Sequence, residues 1–227
     1  MKRYNVVFFD LDDTLFDTSG DEIRAIEAVF KKHGLPFGVD VVDAYNNRTP
    51  WQAFTLGEYD AKAEFTARFV QLLDNLSVKD NRQQLIDDYF ELMEQSNTVN
   101  EGVCEVLDEL KANGYKLYIT ANGYSDFQRN RIASSKIADR FDGIFISDEF
   151  DLRKPSRAYF DYVFNRVPES NRSKVLVVGD AQSTDILGAN NAKLDCCWFN
   201  PKRKQPKHKS TYEVDNFGDI KNLLIKQ

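Results

Sequence analysis

Val6-Val7-Phe8-Phe9-Asp10-Leu11-Asp12-Asp13-Thr14 is the segment from which the architecture of this chain can be inferred. Its first four residues form an unbroken apolar run, which predicts a buried strand. Strand alternation would point Asp10 and Asp12 to the same side, where two like charges repel each other. A divalent cation is the usual remedy, and oxygen ligands favour Mg²⁺ over softer metals. The alternative for this segment alone is a strand that ends in a polar turn.

The composition provides enough apolar side chains for a sizeable core, because hydrophobic residues make up 42% of the 227 residues. The formal net charge of −6 argues against a general nucleic-acid coat protein. Cys104, Cys196 and Cys197 form no disulfide framework and are expected to be reduced thiols, the last two on opposite faces of a strand. Since neither a leader segment nor an apolar stretch of about 20 residues is recognisable, we expect a cytoplasmic protein without a membrane span.

Beyond residue 100 the sequence alternates between helical and strand patterns. We predict helices over residues 101–113, 126–137, 156–166 and 186–192, and strands over residues 116–120, 143–147, 174–178 and 196–199. Strands separated by helices imply right-handed crossovers and a mainly parallel sheet. The predicted fold class is therefore α/β, with a Rossmann-like parallel sheet.

Residues 18–97 differ from the rest, because they show helical periodicity and no convincing strand. Apolar residues recur at helical spacing over residues 23–30, 65–73 and 85–93, and Gly34-Leu35-Pro36 ends the first of these helices. We therefore predict a core of residues 1–17 and 98–227, with a helical cap of residues 18–97 inserted directly after the first strand.

Candidate site residues stand where the predicted strands end, and open parallel sheets collect their ligands there. Asp180 leaves its strand directly and is a candidate metal ligand. Asp185 lies about one helical turn further on and suits a supporting role or, alternatively, a favourable charge at a helix N-terminus. Lys154 could neutralise Asp10 and an incoming phosphate, although a lone lysine is more often a surface residue. Asn122-Gly123 offers a side-chain amide and an accessible backbone N–H, or simply a turn.

Together these motifs resemble those of the haloacid dehalogenase (HAD) superfamily of hydrolases with a helical cap. Four segments carry the resemblance over nearly the whole chain: Asp10-Leu11-Asp12-Asp13-Thr14-Leu15, Asn122-Gly123, Lys154-Pro155, and Gly179-Asp180 with Asp185. More narrowly, Ile186-Leu187-Gly188-Ala189 and Cys197-Trp198-Phe199-Asn200-Pro201 are similar to the bacterial pyrimidine 5'-nucleotidase branch. The resemblance implies a HAD-like core with an all-helical cap.

The resemblance also implies a Mg²⁺-dependent phosphomonoester hydrolase that works through an aspartyl-phosphate. Asp10 would be the nucleophile, and Asp12 would protonate the leaving oxygen and then activate water. Mg²⁺ would be held by Asp10, by the backbone carbonyl of Asp12 and by Asp180. Because dehalogenase members of the family lack an acid at the position of Asp12, its presence favours ester hydrolysis over carbon–halogen cleavage.

The same resemblance assigns the groups that would hold the phosphate. Lys154, oriented by Asp185, would stabilise Asp10 and the phosphoryl oxygens. Asn122 and Gly123 would donate further hydrogen bonds to the phosphate.

Two positions depart from the family pattern. Ser or Thr normally precedes the Asn of the second motif, where its hydroxyl binds phosphate, but Ala121 stands here and Thr120 should face the other side of the strand. The fourth motif often has a small polar residue where this chain has Ala181. Losing one hydrogen bond to phosphate costs about 1.5–3 kcal/mol, roughly ten- to a hundredfold in rate. We therefore expect a weakened enzyme.

Substrate choice is expected to depend on the cap, which should close over the core and contact the leaving group. Asn47, Trp51, Phe54 and Arg68 are the candidates, because aromatic rings could stack on a base and Arg68 could bind an anion. The alternative is that the aromatic residues form the core of the cap. The basic stretch 201–209 is interpreted as a solvated loop rather than a surface for nucleic acid.

Three functional hypotheses follow. The first is a nucleoside 5'-monophosphate phosphatase with a preference for pyrimidines, and the second is a small sugar-phosphate phosphatase or a phosphomutase. The third, suggested by Ala121 and Ala181, is a weakly active HAD protein that binds a phosphorylated ligand. In each case we expect a small-molecule phosphate monoester as partner, no nucleic-acid polymer, no membrane, and a monomer or weak homodimer. Two histidines, His33 and His208, are too few for a Ser/His triad or a His-rich metal site.

Overall fold

The structure, a computed structural model, describes residues 3–46, 61–168 and 171–225. The chain divides into two compact units, one of Met1–Asp17 with Asn97–Gln227 and one of Thr18–Ser96. We call the first the core unit and the second the helical unit.

The core unit contains a six-stranded sheet in which every neighbouring pair is parallel, and this confirms the predicted α/β class. The strands are β1 (Val6–Phe9), β2 (Lys116–Ala121), β3 (Gly143–Ile146), β4 (Val175–Gly179), β5 (Asp195–Phe199) and β6 (Tyr212–Val214). Their order across the sheet is β3-β2-β1-β4-β5-β6. Strand β1 therefore lies between β2 and β4, so the segments that leave these three strands emerge side by side.

Helices occupy the intervals between the strands. Their bounds are α1 (Thr18–Lys32), α2 (Val39–Asn46), α3 (Ala61–Asn75), α4 (Arg82–Gln95), α5 (Val103–Ala112), α6 (Ser125–Ala133), α7 (Arg157–Phe164), α8 (Leu187–Ala192) and α9 (Phe217–Ile225). Helices α1 to α4 make up the described part of the helical unit, and α5 to α9 belong to the core unit. The insertion of a helical cap directly after the first strand is thus confirmed.

Apolar side chains cover both faces of the sheet, because strand alternation sends successive residues to opposite sides. Val7 and Phe9 of β1 belong to one buried cluster together with residues of α5 and α9. Phe8, between them, belongs to the other cluster with residues of α7 and α8. Cys196 and Cys197 lie in opposite clusters as predicted, and all three cysteines are free thiols.

The helical unit has an apolar interior of its own. Phe69 of α3 stacks on Tyr89 of α4, with ring centroids 4.3 Å apart. At the end of α1, Lys32 Nζ and His33 Nε2 each lie 2.7 Å from Asp88 Oδ2 of α4. The three predicted helices of this unit are confirmed as α1, α3 and α4. Helix α2 was not predicted, because only eight residues leave too short a pattern to recognise.

The helix predicted over residues 126–137 ends at Ala133, so the prediction of its length was wrong. The hydroxyls of Ser134 and Ser135 donate to backbone carbonyls of the preceding turn, at 2.8 and 2.7 Å. Serine side chains that bond to nearby carbonyls compete with continuation of a helix. Apolar residues continued the helical pattern past this point, and the serine pair ends the helix.

Two elements beyond residue 200 were not predicted. Strand β6 has three residues and none of them is buried, so it lacks an apolar run. Helix α9 buries Phe217, Ile220 and Leu224, which do stand at helical spacing. The basic stretch 201–209 between β5 and β6 is an exposed loop, as predicted. Among the described helices, none combines the length and the apolar character that crossing a bilayer requires.

Gly188 allows α8 to pack closely against α7, and its replacement tests this contact. A Cβ at position 188 would lie 2.6 Å from Cε2 of Phe160 and 3.1 Å from Cα of Pro155. Helix propensity alone favours Ala over Gly by about 1 kcal/mol. We nevertheless expect Gly188→Ala to lower the free energy of unfolding by about 1–3 kcal/mol, because the packed ring must move. Urea denaturation measures this change.

A second substitution checks the cause. Phe160→Leu in the Gly188→Ala background should recover part of the lost stability, since it opens the space that the new methyl group needs. A stabilising effect of Gly188→Ala alone would show that the two helices are not packed this closely.

Candidate active site

A buried lysine joins the ends of three strands in the core unit. Lys154 precedes α7, and its ammonium donates to Asp10 Oδ1 at 2.6 Å, to Asp185 Oδ1 at 2.6 Å and to the backbone oxygen of Thr120 at 2.8 Å. Its side chain is only 2% exposed. Three acceptors match the three protons of an ammonium group, so the charge is both paired and fully hydrogen-bonded.

The protonation of Lys154 follows from these neighbours. Burial by itself lowers the pKa of an ammonium group, but the carboxylates of Asp10 and Asp185 more than offset this and raise the pKa of Lys154 above its ordinary value. Lys154 is therefore a fixed positive charge at neutral pH.

Asp10 follows directly from the central strand. Its backbone N–H donates to Val178 O at 2.9 Å, which continues the pairing of β1 with β4. Oδ1 faces Lys154, while Oδ2 faces the hydroxyl of Thr14 at 3.4 Å. Burial and the nearby Asp185 carboxylate raise the pKa of Asp10, and Lys154 opposes them. One oxygen is thus strongly held and the other only loosely.

Asp180 and Asp185 leave the end of β4. The backbone N–H of Asp180 donates to Thr14 Oγ1 at 3.0 Å, so Thr14 links the first and fourth motifs. Asp185 Oδ2 accepts from the backbone N–H of Ala181 at 3.1 Å. This close approach requires a glycine at the end of β4, because a Cβ on Gly179 would lie 2.4 Å from Asp185 Oδ2.

Three carboxylates meet at this site, those of Asp10, Asp180 and Asp185, and Lys154 forms ion pairs with two of them. Burial, followed by the charges of Asp13, Asp10 and Asp185, raises the pKa of Asp180 well above its ordinary value. Among the described residues, Asp180 forms no ion pair with a lysine or arginine. The excess of negative oxygen is what a hard divalent cation relieves.

The donor set fits such a cation. One oxygen from each of Asp10, Asp180 and Asp185 lies within 4.8 Å of the others. Both oxygens of Asp185 already accept hydrogen bonds, one from Lys154 and one from Ala181. Asp180, and the Oδ2 of Asp10 that accepts only a long hydrogen bond from Thr14, therefore offer the more available oxygens. The sequence predicts these two residues as ligands together with the backbone carbonyl of Asp12. Exclusively oxygen donors match Mg²⁺ rather than a softer metal.

The two residues of the second motif, Asn122 and Gly123, form hydrogen bonds to other residues of the protein. Asn122 Nδ2 donates to Lys154 O at 2.9 Å, and its Oδ1 accepts from the Lys154 backbone N–H at 2.9 Å. The backbone N–H of Gly123 donates to Ser147 Oγ at 3.1 Å. Asn122 thus fixes the backbone that carries Lys154. To bind phosphate as predicted, the Gly123 N–H would have to exchange its partner, whereas the Asn122 amide has a second N–H besides the one that donates to Lys154 O.

Asp12 meets two residues that sequence reasoning missed. Its Oδ1 accepts from Arg131 Nη1 at 2.7 Å and its Oδ2 from Gln128 Nε2 at 2.6 Å. Both donors belong to α6 and are separated by three positions, so they lie on one face of the helix. That spacing was visible in the sequence, but nothing local connects it to a carboxylate more than a hundred residues earlier.

The candidates for substrate recognition lie in the helical unit. Arg68 Nη1 is 3.4 Å from Glu22 Oε1, in an ion pair whose members are 12% and 1% exposed. Its guanidinium carbon also lies 5.9 Å from the centre of the Tyr45 ring. Arg68 is thus largely buried among groups of its own unit. Asn47, Trp51 and Phe54 lie outside the described residues.

The chain is similar to known hydrolases over most of its length. A family model described as haloacid dehalogenase-like hydrolase matches residues 7–199. The HAD-hydrolase YfnB of Bacillus subtilis strain 168 is 31% identical over 228 residues, which span 99% of this chain and 97% of that protein. A crystal structure of YfnB bound to magnesium has a TM-score of 0.87 at 30% identity, and the match covers 99% of this chain and 100% of that chain.

Two further relatives carry names that specify a substrate. The pyrimidine 5'-nucleotidase PynA of Streptococcus pneumoniae is 29% identical over 228 residues, which span 98% of this chain and 96% of that protein. The glyceraldehyde 3-phosphate phosphatase of Pyrococcus furiosus is 32% identical over 209 residues, which span 88% of this chain and 82% of that protein.

The Asp180 carboxylate, which forms no ion pair with a lysine or arginine of the described residues, predicts a response to magnesium. When the Mg²⁺ concentration is a hundred times the dissociation constant of the site, Mg²⁺ should raise the free energy of unfolding of the metal-free protein by about 2.7 kcal/mol. Urea denaturation measures this change. Asp180→Asn should lose most of this gain, because it replaces a charged carboxylate of the candidate metal site with a neutral amide. The exposed Asp139→Asn variant is the matched control and should keep the wild-type response.

In the absence of metal, the difference in stability between this variant and the wild type should depend on pH. Because folding raises the pKa of Asp180, its contribution to stability is present below the unfolded pKa of about 4 and is lost as the pH rises through the raised value. Metal-free Asp180→Asn should therefore gain stability relative to the wild type between pH 5 and pH 8. An equal magnesium response in both proteins would contradict the candidate metal site.

Proposed function

The chain belongs to the haloacid dehalogenase-like hydrolase family, and from this premise we propose that it is a Mg²⁺-dependent phosphomonoester hydrolase whose preferred substrate is a pyrimidine nucleoside 5'-monophosphate. The observation that carries the proposal is the buried Lys154 ammonium held against Asp10 and Asp185, with Asp180 beside them. A loosely held carboxylate oxygen next to a fixed cation is suited to attack a phosphate dianion, because the cation offsets the repulsion between the two anions.

Asp10 is the nucleophile of the proposed reaction. One of its carboxylate oxygens forms a bond to phosphorus while the bond from phosphorus to the ester oxygen breaks, which leaves an aspartyl-phosphate on the chain. Lys154 remains protonated and stabilises the negative charge that gathers on the phosphoryl oxygens. Asn122 keeps Lys154 in place by holding its backbone on both sides.

Asp12 is the general acid in the first half of the proposed reaction and the general base in the second. It gives a proton to the ester oxygen as the alcohol leaves, and it then takes a proton from the water that attacks the aspartyl-phosphate. The second step releases inorganic phosphate and restores both carboxyl groups. Mg²⁺, held by Asp10, Asp180 and the backbone carbonyl of Asp12, would supply charge neutralisation for the phosphoryl oxygens when bound.

The substrate class draws its support from the relatives. PynA, which is named as a pyrimidine 5'-nucleotidase, matches nearly the whole chain. The similarity to a glyceraldehyde 3-phosphate phosphatase favours a small sugar phosphate as the second candidate. Transfer to a second alcohol instead of water would make the protein a phosphomutase, which a product analysis distinguishes.

Removing the nucleophile tests the reaction class. With Mg²⁺ the wild type should release phosphate from UMP, dUMP, dTMP and p-nitrophenyl phosphate, and Asp10→Asn should fall to the uncatalysed background because an amide cannot form the acyl-phosphate. The catalytic efficiency kcat/KM should be higher for the pyrimidine nucleotides than for glyceraldehyde 3-phosphate. Absence of release above the Asp10→Asn control on every substrate would refute the proposal.

Position 121 tests whether the protein is a weakened enzyme or a binding protein. The Ala121 side chain is buried at the end of β2, next to Asn122. Ala121→Thr should raise kcat/KM about ten- to a hundredfold by supplying one hydroxyl to the phosphate. Ala121→Val, which has the same shape without the hydroxyl, should not. If the wild type releases no more phosphate than the Asp10→Asn control while Ala121→Thr is active, the hypothesis of a protein that binds a phosphorylated ligand is favoured instead.

A further inference from the structure

Arg131 is a fully buried arginine that the proposed mechanism has not yet used. Its side chain is 0% exposed, and its guanidinium carbon lies 5.1 Å from the centre of the Phe16 ring and 5.2 Å from that of Phe127. A buried cation is costly unless it is paired. The pair is Asp12, whose Oδ1 lies 2.7 Å from Arg131 Nη1.

Gln128 completes a closed triangle with Arg131 and Asp12. Its Nε2 donates to Asp12 Oδ2 at 2.6 Å, and its Oε1 accepts from Arg131 Nη1 at 2.9 Å. Both carboxylate oxygens of Asp12 and both ends of the Gln128 amide are therefore engaged. Gln128 is 3% exposed, whereas the Asp12 side chain is 35% exposed. Two buried donors thus hold a carboxylate that is itself open to solvent.

The backbone makes room for this triangle. A Cβ on Gly123 would lie 3.2 Å from Gln128 Nε2, and Gly123 has a φ of 136° that side chains rarely adopt. The second motif therefore serves two purposes, because Asn122 fixes the backbone of Lys154 while Gly123 leaves space for Gln128. Substituting Gly123 would disturb the donors of Asp12 as well as the turn itself.

We propose that Arg131 and Gln128 are positioning residues for Asp12, and that they orient the carboxyl group that protonates the leaving oxygen. This inference rests on the proposed function. Each carboxylate oxygen has two lone-pair directions, so a hydrogen bond from Arg131 or Gln128 does not by itself exclude a proton from that oxygen. Loss of the two donors removes two of the hydrogen bonds that fix the orientation of the Asp12 side chain. Misplacement of a reacting group by about 1 Å costs roughly a hundredfold in rate.

The leaving group reveals whether proton delivery is affected. A p-nitrophenolate departs without help, whereas the 5'-alkoxide of a nucleotide departs only as it receives a proton. Loss of the orienting donors should therefore slow the first turnover of UMP much more than that of p-nitrophenyl phosphate. A general disturbance of the fold would slow both alike.

The experiment compares first-turnover release of alcohol from the two substrates with Mg²⁺ present. Because the second half-reaction also uses Asp12, the enzyme is kept in excess of substrate, so that release of the alcohol in a single turnover reports the first step alone. Arg131→Met should reduce the rate with UMP about a hundredfold more than the rate with p-nitrophenyl phosphate. Arg131→Lys, which keeps the charge, should restore part of the difference.

A neighbouring arginine on the same helix provides the control. Arg129 is 47% exposed and pairs with Glu149 at 2.5 Å, so Arg129→Met removes an arginine from α6 without touching Asp12. It should leave the ratio of the two rates unchanged. Should Arg131→Met not fold, Gln128→Leu offers the same comparison through the other carboxylate oxygen, with an expected change of about tenfold in the ratio.

The outcomes separate the two proposals. No release of alcohol above the Asp10→Asn control from either substrate would overturn both the hydrolase and the orienting role. First-turnover release by the wild type that Asp10→Asn abolishes, together with equal losses on the two substrates in Arg131→Met and Gln128→Leu, would overturn the orienting role alone. A selective loss with UMP supports it.

Discussion

The buried Lys154 ammonium is the interaction on which the arrangement of the site depends. It donates hydrogen bonds to the residue after β1, to a carbonyl of β2 and to the segment after β4. It therefore connects three neighbouring strands at their carboxyl ends. Its removal would leave Asp10 and Asp185 as two buried carboxylates without a counter-charge, which is among the costliest defects in a protein interior. The same contact orients the candidate nucleophile Asp10, so one interaction both stabilises this end of the sheet and positions the reacting group.

Two carboxylates, Asp10 and Asp12, stand two positions apart in the sequence and have contrasting surroundings. Asp10 is nearly inaccessible and paired with Lys154, whereas Asp12 is partly exposed and held by two donors from α6. Asp180 differs from both, because no lysine or arginine of the described chain forms an ion pair with it. The first environment suits a nucleophile, the second a group that exchanges protons with solvent and substrate, and the third a metal ligand.

Most elements of the core unit could be read from local patterns. The apolar runs of β1 and β4 are buried on both faces of the sheet, so their hydrophobicity is continuous and easy to recognise. Strand β6 is an edge strand of three partly exposed residues, and it forms because β5 offers it backbone partners. The end of α6 depended on two serines that bond to local carbonyls, which apolar periodicity does not detect.

For the site, local sequence established which groups stand at strand ends, because strand periodicity and the turn residues that follow are properties of short segments. Asp10, Asp12 and Asp180 could be identified in this way. The sequence also predicts Lys154 as the counter-charge of Asp10, although 144 residues separate the two along the chain. The partner of Asp12 could not be predicted, since Arg131 is 119 residues away and no local pattern connects the two. Packing of α6 and of the segment before α7 against the sheet brings these charges together, because a buried charge is stable only next to its counter-charge.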